Sequence, residues 1–280
     1  MASALSFADR LEQRMRARDS LVCVGLDPVP GKLPARFGSD AASVVRFCQE
    51  IVDATHQYVA AYKPNLAFFT QLGRDGLHAL WEVRQAISAE VPVILDCKVG
   101  DVEGTARAYA HGWFDEFGFD AITVNPYLGE DSLAPFLGYD DKGVIVICKT
   151  SNPGSGDFQD RPVDASEPLY LTVANRCRDW EETYPASVGL VVGATWPEEL
   201  SAVRQRVGNQ VILLPGVGAQ GGNLAASLQA GLNDRGTGLL CSASRSVLFA
   251  SSGDDFALAA ETATRELRDE IVAIRAEVAA

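Results

Sequence analysis

The feature that most constrains the fold of this chain is a series of eight short apolar runs spread over its 280 residues. Each run is rich in β-branched residues and continuous rather than alternating, which is typical of parallel strands covered by helices. We therefore predict eight buried strands, in the runs LVCVGLD (21–27), VAAYKPN (59–65), VPVILDCK (91–98), AITVNPY (121–127), GVIVICKTS (143–151), VGLVVGA (188–194), QVILLPGVG (210–218) and GTGLLCSASR (236–245).

Stretches with helical periodicity separate these runs, and another follows the last run, from Asp255 onward. Alternation of eight strands with helices predicts an α/β fold of the (β/α)8, or TIM, barrel type. An open doubly wound sheet is the alternative, but VCVGLDP lacks the Gly-rich phosphate turn of a dinucleotide-binding fold. No linker-like segment divides the chain, so we expect residues 1–280 to form a single domain.

Composition and charge restrict the class of protein. The chain has 24 Lys and Arg against 37 Asp and Glu, a formal net charge of −13, and it lacks the dense basic run of a nucleic-acid binder. It also lacks an 18-residue apolar stretch and the apolar core of a secretory signal. Its six cysteines form no C-x-x-C pair, which favours free thiols in a reducing compartment. We expect a soluble cytoplasmic protein with no nucleic-acid or membrane partner.

Charged side chains cluster where the predicted strands end, on the face of a (β/α)8 barrel that carries chemistry. Asp27 ends the first strand and Lys63 lies near the end of the second. Asp96, Lys98 and Asp101 follow within six positions of the third. Charges this close in a poorly solvated place are costly unless they pair or take part in a reaction. A structural salt-bridge network is the alternative, although stability networks belong to the opposite face of the barrel.

The segment PGVGAQGGN (215–223), after the seventh strand, has the composition of a phosphate-binding turn. Glycines let backbone N–H groups approach an anion, and the helix predicted to begin near Asn223 adds the positive end of its dipole. Arg245, at the end of the eighth run, has the fork geometry to hold a dianion bidentately. A flexible turn without a ligand is the alternative interpretation.

Segment 150–166, TSNPGSGDFQDRPVDAS, is the longest connection without a predicted helix. Loops of this length are often lids or binding loops, and a disordered surface excursion is the alternative. All three histidines (His56, His78 and His111) fall in predicted helices without metal-ligand spacing to Asp or Glu. We predict no metal site, and no Ser-His-Asp arrangement stands out.

Nine motifs along the chain together carry a resemblance to a known family. ILDCKVGDV contains the pattern D-x-K-x-x-D, and it is joined by SFADRL, CVGLDP, YKPNLAFF, TVNPYLGEDSL, KTSNPGSGDFQ, VVGAT, PGVGAQGG and SASRSVLF. Taken in their order along the chain, these motifs resemble those of the orotidine 5′-phosphate decarboxylase family in its longer bacterial form. The motifs run from residue 6 to about residue 249 and so cover nearly the whole chain. The pattern D-x-K-x-x-D alone is shared with a sugar-phosphate branch of the same superfamily.

The resemblance implies an activity and a set of catalytic residues. It implies decarboxylation of orotidine 5′-phosphate to UMP and CO₂, the last step of de novo pyrimidine nucleotide synthesis, with no cofactor. Lys98 would donate the proton to C6 of the pyrimidine, and Asp96 would lie against the substrate carboxylate. Lys63 would hold Asp27 and Asp96 in the charged array, and Asp27 would also bind the ribose.

The resemblance further implies a homodimer with shared active sites. Asp101, the fourth catalytic position, and Thr105 would reach into the site of the other subunit and contact ribose hydroxyls. Ser151 would hydrogen-bond the edge of the base. The remaining substrate-binding positions, of which the glutamine and the arginine would hold the phosphate, are Pro215, Gln220, Gly221 and Arg245.

Three other functions fit part of the pattern. A sugar-phosphate enzyme of the same superfamily, such as a keto-gulonate phosphate decarboxylase, would need Mg²⁺ and an acidic residue where KPN has Lys63. An aldolase would use a lysine as a Schiff-base nucleophile. A non-catalytic barrel would bind UMP-like ligands without turnover.

Overall fold

The computed structural model of the chain describes residues 5–163, 167–217 and 223–278. Each of the eight predicted runs overlaps one strand, so the strand predictions are confirmed, although two strands extend one residue beyond their runs. The strands are shorter than the runs because the ends of several runs already belong to the loops that carry polar side chains. Their bounds are β1 Val22–Leu26, β2 Ala61–Pro64, β3 Ile94–Val99, β4 Ala121–Val124, β5 Gly143–Lys149, β6 Ser187–Val192, β7 Ile212–Pro215 and β8 Leu239–Ala243.

Helices alternate with these strands as predicted. Their bounds in the described ranges are α1 Phe7–Arg18, α2 Ala41–Thr55, α3 Leu66–Thr70, α4 Asp75–Ala86, α5 Glu103–Ala110, α6 Glu130–Leu137, α7 Leu169–Thr183, α8 Pro197–Val207, α9 Leu224–Gly231, α10 Arg245–Leu248 and α11 Phe256–Val278. Helix α6 escaped the sequence prediction because it has only eight residues and contains Pro135 in its interior.

The eight strands form one parallel sheet in the order β2-β1-β8-β7-β6-β5-β4-β3. The two outer strands of this order, β2 and β3, meet through parallel bridges that pair Tyr62 with Val93 and Asn65 with Asp96. These bridges bring the sheet round on itself into a nearly closed barrel. The prediction of a single (β/α)8 barrel is therefore confirmed.

Helix α1 covers the face of the barrel where the strands begin. The Phe7 ring is buried next to Gly143 at the start of β5, and the Ala8 N–H donates to Ser187 Oγ at the start of β6 (3.1 Å). Arg10 Nη1 reaches Asp120 Oδ1, just before β4, at 2.6 Å. This face is thus occupied by packing and ion pairing, and the loops after the strands lie on the other face.

Residues 150–163, which we call the β5 loop, are ordered by their own hydrogen bonds. Pro153–Asp157 form a 3₁₀ turn, and the Tyr170 N–H of α7 donates to Gln159 O at 3.0 Å. These residues are therefore ordered, which contradicts a disordered excursion, and a role as a lid or binding loop stays a prediction. Residues 164–166 of the predicted segment lie outside the described ranges.

Two other expectations concern thiols and membranes. All six cysteines are unpaired, and five of them are buried, as predicted from their spacing. Among the described residues, no helix combines the length and the apolar character needed to cross a bilayer.

The contact between α1 and β5 generates a prediction about stability. A Cβ added at Gly143 would overlap the Phe7 ring and come within 2.8 Å of Ala121 Cβ. Because both neighbours are buried, we expect Gly143→Ala to lower the free energy of unfolding by about 1–3 kcal/mol in urea denaturation. Gly112→Ala is the matched control, since a Cβ there has no neighbour within 4 Å. Equal stability of the two variants would contradict this role of Phe7.

Candidate active site

The centre of the candidate site is the carboxylate of Asp96 on β3. Its Oδ1 accepts from Lys98 Nζ at 2.5 Å and from Thr123 Oγ1 at 3.0 Å. Its Oδ2 accepts from Lys63 Nζ at 3.1 Å and from Asn65 Nδ2 at 3.0 Å. An ionised carboxylate has about four lone-pair positions, so these donors from β2, β3 and β4 occupy all of them. These four contacts hold the carboxylate and both ammonium groups together at the mouth of the barrel.

Strand β3 departs from regular geometry where it carries these charges. Its register with β4 shifts between Leu95 and Val99, and Lys98 has a φ of 49°, in the left-handed region. The N–H groups of Cys97 and Lys98 both donate to Thr123 Oγ1, at 3.0 and 2.9 Å. A non-glycine residue in this region costs about 1–2 kcal/mol. Such strain persists only where the surroundings fix it, and it is concentrated at functional sites.

The charges of the array are mutually stabilising. Burial alone would lower the pKa of Lys63, which is 5% exposed, but the negative charges of Asp96 and Asp27 outweigh burial and raise it. Burial alone would raise the pKa of Asp96, which is 9% exposed, but Lys63 and Lys98 outweigh burial and lower it. Both groups are therefore charged at neutral pH. The side chain of Lys98 is 49% exposed, in contrast to those of Lys63 and Asp96.

A cavity of about 220 Å³ adjoins the array. One carboxylate oxygen of Asp27, Oδ1, is buried there and has no hydrogen-bond partner among the described residues. An unsatisfied buried acceptor is costly, and a ligand hydroxyl or amide would satisfy it. The cavity is lined by Asp27, Val29, Lys63, Phe68, Asp96, Pro215, Gly216, Val217, Ser242, Ser244 and Arg245.

The structure brings together a subset of the predicted site residues. Asp27, Lys63, Asp96, Pro215 and Arg245 line the one cavity, although they come from five different strands or strand ends. The sixth predicted residue at this place, Lys98, joins them through its ion pair with Asp96.

Three predicted residues lie outside this cavity, and two outside the described ranges. Asp101 Oδ1 accepts from the N–H of Val102 at 2.7 Å, and Thr105 is exposed on α5. Ser151 follows β5 and packs closely against Gly193, where an added Cβ would come within 2.8 Å of Ser151 Cβ. The two positions that the structure does not describe are Gln220 and Gly221.

Two residues that donate to Asp96 were not among the predicted site residues, although Asn65 belongs to the end of the second predicted strand. Asn65 lies two residues after Lys63. Thr123 lies in β4, a strand that is otherwise apolar. A hydroxyl in the middle of the run AITV was the available signal, because a buried polar group needs a partner. The partners of Thr123 are Asp96 and the N–H groups of Cys97 and Lys98. These contacts depend on the irregularity of β3, which the sequence pattern did not reveal.

Within the described ranges, no group of three or more His, Cys, Asp and Glu side chains is arranged to hold a metal ion. The charged groups that line the cavity are instead Asp27, Asp96, Lys63 and Arg245, and Lys98 is paired with Asp96 beside them. Such a site suits an anionic ligand that also carries hydroxyl groups.

Fold and site together define a (β/α)8-barrel enzyme with fixed charges at the carboxyl ends of its strands. Residues 20–255 match the model of the orotidine 5′-phosphate decarboxylase / HUMPS family. The chain belongs to this family.

Individual relatives cover almost the full length of the chain. The orotidine 5′-phosphate decarboxylase of Thermomicrobium roseum is 49% identical over 276 residues, which are 98% of each chain. That of Bordetella petrii is 45% identical over 97% of this chain and 100% of its own. Among solved structures, Leishmania donovani OMP decarboxylase superimposes with a TM-score of 0.85 at 44% identity, over 97% of this chain and 99% of that chain.

The lowered pKa of Asp96 predicts how acid affects stability. Because folding depresses this pKa below about 3.8, its ordinary value, the ion pairs stabilise the folded state above that pH. The contribution begins to be lost as the pH falls through about 4, where the unfolded chain binds the proton first, and the loss continues below about pH 3 to the folded pKa. In urea denaturation, the difference in free energy of unfolding between wild type and Asp96→Asn should shrink across this window.

Asp254→Asn controls for the loss of one negative charge, because Asp254 is exposed and makes no ion pair with any described residue. A difference that stays constant for Asp96→Asn from about pH 6 to pH 3 would contradict the stabilising role of its ion pairs.

Proposed function

We propose that this chain decarboxylates orotidine 5′-phosphate to UMP and CO₂ in pyrimidine nucleotide synthesis. The observation that carries the proposal is the Lys63–Asp96–Lys98 array beside a cavity that also holds Arg245. The names of the relatives, at 44–49% identity over nearly the whole chain, support the choice of substrate.

The reaction explains why such an array is useful. The bond between C6 and the carboxylate carbon breaks, CO₂ leaves, and the electron pair stays on C6 as an sp² carbanion without an obvious electron sink. The slowest uncatalysed reactions require about 20 kcal/mol or more of transition-state stabilisation from the enzyme. Charges that are already in position provide such stabilisation without reorganisation during the reaction.

Each charged residue has a distinct proposed role. The Lys98 ammonium stabilises the negative charge that grows at C6, transfers its proton to C6 and is reprotonated from solvent. Asp96 lies beside the substrate carboxylate, and their repulsion disappears when neutral CO₂ departs. Lys63, 3.1 Å from Asp96 Oδ2, keeps that carboxylate ionised and in place.

The remaining residues bind the parts of the substrate that do not react. The unpartnered Oδ1 of Asp27 is suited to accept from a ribose hydroxyl. Ser151 contacts the edge of the base in this proposal. The distant phosphate is bound in this proposal by Pro215, Gln220, Gly221 and Arg245. Its binding energy helps to lower the barrier to the reaction at C6.

We also propose a homodimer with shared active sites. Asp101 and Thr105 do not line the cavity of their own chain, which agrees with a role in the site of a second subunit. Exposed apolar side chains lie on the loops after β3 and β4, namely Val102, Tyr127 and Leu128. Clustered exposed apolar groups of this kind mark protein interfaces.

Three further parts of the proposal concern the whole protein. Residues 1–280 act as one domain in the cytoplasm, which the unpaired thiols and the acidic composition support. The chemistry uses the chain's own side chains, with no metal or organic cofactor. Nucleic acids and membranes are not partners of this protein.

The decisive experiment follows the loss of orotidine 5′-phosphate absorbance with purified, EDTA-treated protein and identifies UMP as the product. Lys98→Ala should lower kcat by at least roughly a thousandfold, because it removes both the proton donor and a fixed positive charge. Lys142→Ala is the matched control, since Lys142 lies at the opposite end of β5 from the site. No conversion by folded wild-type protein, or near-normal kcat in Lys98→Ala, would refute the proposal.

The shared-site proposal has a separate test. Lys98→Ala and Asp101→Ala should each be inactive alone, yet a mixed dimer contains one site with both native residues. After subunit exchange in equal amounts, we expect about a quarter of wild-type activity, because half of the dimers are mixed and each has one intact site. Mass spectrometry of the intact dimers verifies the exchange. Verified exchange without recovered activity would contradict a site built from two subunits.

A further inference from the structure

Lys149, the last residue of β5, is a charged side chain that the proposed chemistry does not use. It is fully buried, with no exposed surface. Its Nζ donates to Asp160 Oδ1 at 2.6 Å and to Ser155 Oγ at 3.2 Å, and lies 4.6 Å from the centroid of the Trp196 ring. Asp160 and Ser155 both belong to the β5 loop, so the buried ammonium joins that loop to the barrel.

The cost of burial gives this contact its strength. An ammonium withdrawn from water is costly unless a carboxylate and further acceptors compensate for the lost hydration. Here the compensation comes from Asp160 and Ser155, with a cation–π contact to Trp196. If the β5 loop moved away, Lys149 would lose its carboxylate and its hydroxyl together. The geometry therefore penalises any displacement of the loop.

Contacts of the neighbouring residues confine Ser151, which lies two residues after Lys149. Its neighbour Thr150 is held from two sides, because the Thr150 N–H donates to Gln159 Oε1 at 2.9 Å and Trp196 Nε1 donates to Thr150 O at 3.0 Å. On the β6 side, the Gly193 N–H donates to Lys149 O at 2.8 Å. Gly193 also packs against Ser151 so closely that a residue larger than glycine at position 193 would collide with it.

We propose that Lys149 is a positioning residue: its buried ion pair with Asp160 fixes the β5 loop and thereby holds Ser151 where it meets the base of the substrate. This inference deepens the proposed function and rests on it for the role of Ser151. Lys149 touches no substrate atom in this proposal and acts only through the loop.

The first test needs no substrate. Phe158 is exposed at the tip of the β5 loop, so chymotrypsin cleavage after Phe158 reports how often the loop opens. Lys149→Met removes the charge but keeps a similar volume, and its cleavage rate should rise about tenfold or more over wild type. Asp157→Asn is the matched control, because Asp157 lies in the same loop but makes no ion pair with any described residue. Equal cleavage of Lys149→Met and wild type would overturn the proposal.

The second test separates positioning from a merely structural role. Lys149→Met should lower kcat/KM for orotidine 5′-phosphate by about tenfold, the size expected from losing one hydrogen bond. In a Ser151→Ala background the same change should cost little, because both substitutions remove one interaction. Additive losses in this double-mutant cycle, or an unchanged kcat/KM in Lys149→Met, would overturn the proposal.

A second variant guards against misfolding. Asp160→Asn alters a side chain that is 47% exposed, and it should reproduce both the faster cleavage and the dependence on Ser151. Wild-type behaviour of Asp160→Asn would overturn the proposal. If wild-type protein does not decarboxylate orotidine 5′-phosphate, the proposed function fails, while the chymotrypsin comparison still decides whether Lys149 anchors the loop.

Discussion

The site depends on one saturated carboxylate. Asp96 accepts from Lys98 and Thr123 on one oxygen and from Lys63 and Asn65 on the other. Lys63 is nearly buried, and a buried ammonium is tolerated only next to a compensating negative charge. The buried members of the array, Lys63, Asp96 and Thr123, thus require one another. They resist a gradual rearrangement, because moving one of them leaves a charge or a donor unpaired in a place that water hardly reaches.

The barrel provides the conditions under which such a cluster is stable. Residues at the ends of neighbouring parallel strands face one mouth, so Lys63, Asp96 and Thr123 converge although 60 residues of chain separate the first from the last. The strained backbone of Lys98 is held by the N–H bonds to Thr123 rather than by local preference. Packing of α1 on the opposite face stabilises the barrel without touching the site. Stability and strain are therefore located at opposite ends of the same strands.

The sequence predicted the barrel well because continuous apolar runs leave few alternatives to parallel strands between helices. It also predicted that Asp27, Lys63, Asp96 and Arg245 share a mouth, since the end of each strand was visible as a change from apolar to charged residues. The hydroxyl contact of Thr123 could not be predicted, because it depends on a register shift in β3 that no residue pattern announces. The ion pair of Lys149 could not be predicted for a related reason. Lys149 is the last residue of strand β5, and its partner, Asp160, lies eleven residues later in a loop.

Two buried lysines, Lys63 and Lys149, differ in how exposed their carboxylate partners are. Lys63 pairs with Asp96, whose side chain is almost as buried as its own, so the separation of their charges is opposed on both sides by the cost of desolvation. Lys149 pairs with Asp160, whose side chain is half exposed and belongs to a loop. Releasing that carboxylate into water costs little on its side, and only the ammonium resists. In the proposed reaction, the charges beside C6 would therefore stay fixed, whereas the ion pair that holds the loop would be the easier of the two to separate. This difference agrees with the proposed function, in which fixed charges act on a ligand that must enter and leave the site.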